Sequence, residues 1–551
     1  MSLQVEAIPA IPEETVKVAK AAFPNGNRYM RMRDEFGSFY QDEDFAGLYA
    51  QRGRPGESPW RLALILVFAY VEELSDEQAA EAVRSRIDWK YALSLELTDS
   101  GFDAAVLSEF RARLIAGSVE QQLLDAMLMR FSAAGYLKKR GRQRTDSTHV
   151  LAAVRALNRL VFIGETFRHT LNVLATSAPS WFKPHIQAAW LERYAKRFDD
   201  YRLPTGKAER AALASQIGND GRVLLKLLFA DESPAWLREL EAVRILQRVW
   251  LEQYVAVGDE QAMGWRAEEE LPPSGQRLHT PYDPEARYAV KRTTTWLGYK
   301  VHLSESCDEE SPHLITNVLT TPATTPDFEA AAPIHHSLAS KDLLPAEHLM
   351  DAGYIDGGLL AASQTDYEID VIGPVAPDHC WQALTPEAFD VTHFFVDWEA
   401  KRVLCPQGHA SHKWSQTHDQ QRNPIINIRF APAKCDACPL RSRCTRSLNA
   451  PRHLTLRPQA QHQAIQQRRR TQNTPAFQHT YAARAGIEGS ISHAVRTTGL
   501  RRARYIGLAK TSLQHILSAA ALNLYRITDW LAQRPLALTR TSAFSRLALA
   551  A

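Results

Sequence analysis

Hydrophobic positions in the first quarter of the chain recur at helical spacing, in short runs separated by capping signals. Ser58 followed by Pro59 predicts an N-cap with proline in the first turn, opening an apolar helix over residues 60–74. Its apolar run, residues 62–70, is bounded by Arg61, Glu72 and Glu73. That is well short of the roughly 18 residues a membrane span needs, so it reads as a buried helix. Ser75 with Gln78 makes a capping box for a segment reaching about residue 86, and a further helix is expected over residues 106–114. The region up to about residue 135 therefore reads as helical. A DNA-binding bundle and a dimerisation or packing module fit it equally well.

Beyond it the periodicity changes. The β-branched stretch at residues 145–150 suits a strand, and a long helical insert follows to about residue 262, with amphipathic runs at 190–198 and 237–254. Two more strands are expected at 296–305 and 313–320, the second closed by Pro322 and Pro326. Residues 343–350 lead into Asp351, an acid at the end of a buried strand. Mixed strands and helices with such a carboxylate predict an α/β core with ligands at that edge. From 378 to about 456 the composition shifts to Cys, His, Pro and Trp, which marks an inserted subdomain. Ile506, Ala509, Leu513, Ile516, Ala520, Leu524 and Ile527 then trace one apolar face of a closing helix. The organisation expected is an N-terminal helical part (1–135), a first part of the core (136–377) with its insert at about 150–262, the Cys-rich insert (378–456), and a C-terminal part (457–551).

At 551 residues the chain exceeds the usual single core, and its 45% hydrophobic and 23% charged content is that of a soluble globular protein. Glu6, Glu13 and Glu14 interrupt the N-terminus, which has no secretory pattern, so a cytoplasmic protein is expected. The net charge of +3 says little about partners, but its distribution says more. Between Ala437 and Lys510 fourteen Lys or Arg face a single acid, Glu488. A second basic cluster runs over 138–144. Such surfaces suit phosphate, and a lone carboxylate within one singles out Glu488.

Tyr481, Arg484 and Glu488 lie three and four residues apart and would share one helical face, where Arg484 and Glu488 could simply form an intrahelical ion pair. Asp146 precedes Ser147-Thr148, and Asp351 precedes Ala352-Gly353-Tyr354; each could be a turn residue, and Asp356 competes with Asp351. Taken together, Tyr-x2-Arg-x3-Glu and these two aspartate motifs resemble the three acidic motifs of the DDE transposases of bacterial insertion sequences. The resemblance extends to Tyr282-Asp283-Pro284-Glu285-Ala286-Arg287, to Gly298-Tyr299-Lys300-Val301-His302, and to Gly499-Leu500-Arg501-Arg502-Ala503-Arg504-Tyr505 with Gly507. Residues 74–114 look like the helical domain that precedes such cores, and the likeness covers about residues 40–528. The pattern departs in one place: where the family often has a Lys or Arg seven residues beyond the glutamate, this chain has Val495, with Arg496 beside it.

The resemblance implies an RNase H-like core with Asp146 and Asp351 on strands and Glu488 on a helix, together holding Mg²⁺ or Mn²⁺. Arg484, Arg496, Arg501, Arg502 and Lys510 would neutralise DNA phosphates. Cleavage of element ends and transfer of the 3′-hydroxyl to target DNA need two divalent ions about 3.5 to 4 Å apart, and hard cations favour carboxylate oxygens. Two ends cut together imply a homodimer. An RNase H-like nuclease without strand transfer, and an inactive zinc-bearing DNA-binding protein, are the rival readings. His149 reads as a local hydrogen-bonding residue.

Of six cysteines, Cys405, Cys435, Cys438 and Cys444 cluster, with 29, 2 and 5 residues between them, and His409 lies close to the first. The spacing fits a structural tetrahedral Zn²⁺ site, against the alternative of buried reduced thiols; it matches none of the common ferredoxin patterns. Cys307 and Cys380 read as ordinary thiols.

Overall fold

The computed structural model describes residues 2–199, 203–258, 262–420 and 422–534. Its first part is helical as expected: α1 (Glu13–Ala22), α2 (Arg28–Phe36), α3 (Pro59–Val71), α4 (Asp76–Ser85), α5 (Ile87–Ala92), α6 (Ala105–Ala116) and α7 (Gln122–Ala133). Every residue of α3 except Arg61 is buried, so this helix is hydrophobic all round because it has core on every side. Ser58 stands at its N-cap without bonding through its side chain; Asp42 takes that role, its carboxylate accepting the Trp60 amide at 3.2 Å. The Ser75–Gln78 capping box forms as read.

Strand β1 (Arg142–Leu151) runs longer than its β-branched centre suggested. After it come α8 (Arg159–Ser177), α9 (Pro179–Phe182), α10 (Ala188–Tyr194), α11 (Lys207–Leu228) and α12 (Glu241–Gln253), then the hairpin of β2 (Tyr254–Val257) and β3 (Ala262–Trp265). These elements bury their own cluster around Phe167, Trp190, Leu224, Leu246 and Trp250. The chain returns through β4 (Arg287–Lys291), β5 (Thr294–Ser306) and β6 (Ile315–Pro322); β5 pairs antiparallel with β4, β6 and β1. Helix α13 (Asp327–Ser340) crosses to β7 (Glu347–Met350), and α14 (Gly357–Tyr367) to β8 (Asp370–Ile372). Strand β7 pairs in parallel with both β1 and β8, giving a six-stranded sheet in the order β4-β5-β1-β7-β8 with β6 on β5. Four antiparallel strands (β4, β5, β6 and β1) extended by two parallel ones through helical crossovers make an RNase H-like α/β core. Gly298 has φ +150°, and a methyl there would overlap the Val150 carbonyl, which is why glycine stands where β5 meets the end of β1.

Beyond β8 lie α15 (Trp381–Leu384), the hairpin of β9 (Phe395–Asp397) and β10 (Arg402–Leu404), and β11 (Lys413–His418), β12 (Pro424–Arg429), α16 (Pro432–Asp436), α17 (Arg441–Cys444) and β13 (His453–Leu456). Strands β11, β12 and β13 form a small sheet over a core of Phe394, Val403, Ile428, Phe430 and Leu456. The chain closes with α18 (Gln459–Thr471), α19 (Pro475–Ala482), α20 (Gly486–Thr497) and α21 (Leu508–Leu531). The apolar face of α21 begins only at Leu513: Ile506 precedes the helix, and both it and Ala509 are exposed. Asp283 and Glu285 meet the start of this helix, Glu285 accepting the Leu508 amide at 2.8 Å. Helix α21 packs on α3 and β6, so the first helices, the sheet and the last helix share one continuous core. No described helix is long and apolar enough to cross a membrane.

Candidate active site

Asp146 sits near the middle of β1, and Asp351 is the residue that follows β7. The parallel register places Thr145 opposite Met350, so the two aspartates emerge next to one another from neighbouring strands. One Asp146 oxygen accepts the Ser147 amide at 2.7 Å, and the other accepts Arg484 Nη1 at 2.9 Å. Burial holds the Asp146 carboxyl above the usual carboxylate range; the nearby Asp351 charge adds to this, while the Ser147 amide and Arg484 oppose it.

The helix expected to carry Tyr481, Arg484 and Glu488 on one face is broken. Helix α19 ends at Ala482, a 3₁₀ turn covers Ala483–Ala485, and α20 starts at Gly486. The side chains still meet: Arg484 lies 5.8 Å from the Tyr481 ring centre, and its Nη2 donates to Glu488 Oε1 at 3.2 Å. The ion pair that helical spacing alone allowed is thus present, but the same guanidinium also reaches Asp146. Asp146 and Glu488 are one guanidinium apart. Side-chain exposure is 18% for Asp146 and 15% for Arg484, against 65% for Glu488, so a sheltered aspartate faces a glutamate open to solvent.

The remaining sequence candidates scatter. Arg501 donates through Nε to Thr148 Oγ1 at 2.8 Å, two positions along β1 from Asp146, and Arg502 forms a bridge with Leu151; both are exposed. Arg496 is exposed on the last turn of α20, its Nε on the Ser492 carbonyl. Lys510 lines a different recess, with Arg111, Tyr505 and Leu513. Asp356 is the N-cap of α14, its carboxylate accepting the Leu359 amide at 2.7 Å, the local role its position offers. His149 packs against the Trp296 ring. The basic cluster at 138–144 is largely spent on internal partners: Lys139 on Asp342, Arg140 on the Tyr367 and Glu368 carbonyls, Arg142 on Glu347 and Arg144 on Glu305.

Two carboxylates escaped the sequence reading. Asp327, at the start of α13, accepts Lys300 Nζ at 3.1 Å and Ser147 Oγ at 3.2 Å, and lies against Gly353. It supports the strand next to Asp146 and the turn after Asp351 from the opposite face of the sheet. Glu305 on β5 is fully buried with Arg144, Arg526 and Ser490. Its signal was in the sequence: Tyr299, Val301 and Leu303 alternate along one face, and an acid is next in that register.

Among the described residues, no three His, Cys, Asp or Glu side chains are drawn close enough to hold a metal ion. The oxygen donors at Asp146, Asp351 and Glu488 nonetheless suit a hard divalent cation, which needs only one or two carboxylates and keeps its waters. Arg484 already occupies a cation's place between two of them. Cys405, Cys435, Cys438 and Cys444 all line one small cavity of about 30 Å³, together with His409. Burial, and after it the neighbouring Cys405, Cys438 and Cys435, push the Cys444 thiol up to about 11 against the pull of Arg452. Cys307 is buried beside Leu349 and Ile372, and Cys380 is exposed.

A family described as "Transposase DDE domain" matches residues 404–528, and one described as "Transposase domain (DUF772)" matches residues 17–113. Together they support a DDE transposase of the insertion-sequence type. The first match takes in Glu488, Arg484 and the four clustered cysteines, and it begins after Asp146 and Asp351; the second covers the later part of α1, all of α2 to α5 and most of α6. No curated protein and no solved structure matches this chain.

Proposed function

We propose that this transposase cuts the ends of its mobile element and joins the freed 3′-hydroxyl to target DNA, with Asp146, Asp351 and Glu488 as the acids that hold divalent metal. The observation that carries the reading is Arg484, which bonds both Asp146, 338 positions away in sequence, and Glu488, 4 positions away, beside the strand end that presents Asp351. Divalent ions, when bound, supply activation of the attacking oxygen and stabilisation of the leaving one. The chain's own part is to favour the ionised form of Asp146 against the pull of burial, as the Ser147 amide and Arg484 do. Arg496, Arg501 and Arg502, all exposed, are the cations offered to phosphate; Lys510 would meet DNA at its separate recess. In this reading the helices before β1 recognise DNA or a second copy in a homodimer, and the Cys-rich insert is stiffened by zinc.

The test is a coupled assay of strand cleavage and strand transfer with Asp146→Asn, Asp351→Asn and Glu488→Gln. Each variant should lose both steps while binding end DNA as the native chain does. Cleavage retained by any of the three would remove that residue from the site. Cleavage without transfer in the native chain would reduce the reading to a nuclease.

A further inference from the structure

We propose that Glu305 is the positioning residue that sets the Glu488 helix against the Asp146 strand; the inference rests on the assignment of those two acids to the active site. Two of the three acids leave adjacent strands and are spaced by the sheet itself. The third comes from α20, and something has to fix that helix along β1. Ile487, Ile491 and Ala494 bury one side of α20, but apolar contacts are non-directional and permit sliding.

The directional contacts converge on Glu305. Arg144 is its cross-strand partner in the β1–β5 register, two positions before Asp146 on the same face of the sheet. Arg144 Nε donates to Glu305 Oε1 at 2.6 Å, and its Nη1 donates to the Ala483 carbonyl, in the turn that opens α20, also at 2.6 Å. Ser490 Oγ, on α20, donates to Glu305 Oε2 at 2.5 Å, and Arg526 of α21 donates to the same oxygen at 2.8 Å. Arg526 also bonds Ser490 Oγ and the His313 carbonyl. One buried carboxylate therefore ties together the strand of Asp146, the turn of Arg484, the helix of Glu488 and the closing helix. Ser490 stands two residues beyond Glu488, so it points inward while Glu488 faces out toward solvent.

Glu305 is fully buried with both carboxylate oxygens bonded to side chains, so its loss should act on the distance between others. Supporting residues of this kind typically change metal affinity by about ten- to a hundredfold, and a displacement of about 1 Å costs on the order of a hundredfold in rate. The experiment is Mn²⁺ binding by electron paramagnetic resonance to the full chain without DNA. It compares the native protein with Glu305→Gln, Ser490→Ala, Arg526→Lys, Arg526→Gln and Asp146→Asn, each checked for folded content by circular dichroism. Glu305→Gln should weaken Mn²⁺ binding on the order of tenfold and raise the Mg²⁺ needed for half-maximal cleavage by the same factor, with end-DNA affinity unchanged. Arg526→Lys should keep most of what Arg526→Gln loses. If Glu305→Gln does not fold, Ser490→Ala, which removes one hydroxyl, decides by the same readout: weaker Mn²⁺ binding supports the role, and native affinity overturns it. A folded Glu305→Gln protein with native Mn²⁺ affinity also overturns it. If Asp146→Asn abolishes binding and Glu305→Gln leaves it intact, this inference alone falls; if Asp146→Asn binds Mn²⁺ normally, the active-site reading falls with it.

Discussion

Replacing Gly486 by alanine and, separately, Gly489 by alanine adds the same methyl group to the same helix, yet the two should move α20 in opposite directions. Gly489 lies inside α20, is exposed, and has nothing within 4 Å of the place a methyl would take. The substitution there recovers only helix propensity, a gain of about 1 kcal/mol. A methyl at Gly486 would lie well inside contact distance of Arg144 Nη1, Cζ and Nη2. That guanidinium is no free end, since Glu305 and the Ala483 carbonyl hold it and only 8% of the side chain is exposed. Breaking a buried pair costs about 3 to 5 kcal/mol, so even with the full propensity gain of about 1 the Gly486→Ala helix loses roughly 2 to 4 kcal/mol. Amide hydrogen exchange followed by mass spectrometry on peptides of α20 reads this locally, without needing two-state unfolding of a chain this long. Gly489→Ala should slow exchange about fivefold, and Gly486→Ala should speed it by at least about thirtyfold. If Gly486→Ala protects α20 as Gly489→Ala does, Arg144 is not pinned there and the account of how this helix is seated is wrong.

Other consequences are equally direct. The buried Asp146 keeps its proton to higher pH than an ordinary carboxylate, so the acid limb of cleavage should lie above the usual carboxylate range; Arg484→Gln, which removes a cation favouring the ionised form, should move that limb further up in a pH–rate profile. Protein isolated without chelator should carry one equivalent of zinc, released as Cys435 and Cys438 are replaced by serine, with faster proteolysis confined to the region between β8 and α18; a metal-free native protein of the same stability would leave the four cysteines as reduced thiols. Arg501→Ala and Arg502→Ala should each lower the slope of log affinity for duplex DNA against log salt by about 0.9 for each phosphate left unneutralised, and an unchanged slope would take that arginine off the DNA path.

The local elements of the fold were largely legible because they obey local rules. A capping box opened α4, an uninterrupted apolar run gave α3, and β-branched residues marked β1. The candidate site was legible only as a set of motifs, of which the structure brings Asp146 and Asp351 to adjoining strand positions and Arg484 onto Glu488. Long-range partners escaped the reading. The 3₁₀ turn at Ala483–Ala485 interrupts a helix-favouring stretch, and Arg144, more than three hundred positions earlier, bonds the first carbonyl of that turn. The basic cluster at 138–144 misled for the same reason, because a run of charges cannot reveal that Asp342, Glu347 and Glu305 wait elsewhere in the chain for Lys139, Arg142 and Arg144. Strands β4 and β8, five and three residues long, were too short to show a period.

The central place of β1 also has a consequence in time. Its antiparallel neighbour supplies Glu305 161 residues after Arg144, and its parallel neighbour supplies Glu347 205 residues after Arg142. At a synthesis rate of about 5 to 20 residues per second, the strand waits roughly 10 to 40 s on the ribosome with one edge or both unpaired. A bare strand edge is a template for aggregation, and charged side chains are what discourages it. Arg142, Arg144 and Asp146, alternating along β1, therefore guard the nascent chain before any of them has found the partner it holds in the folded protein.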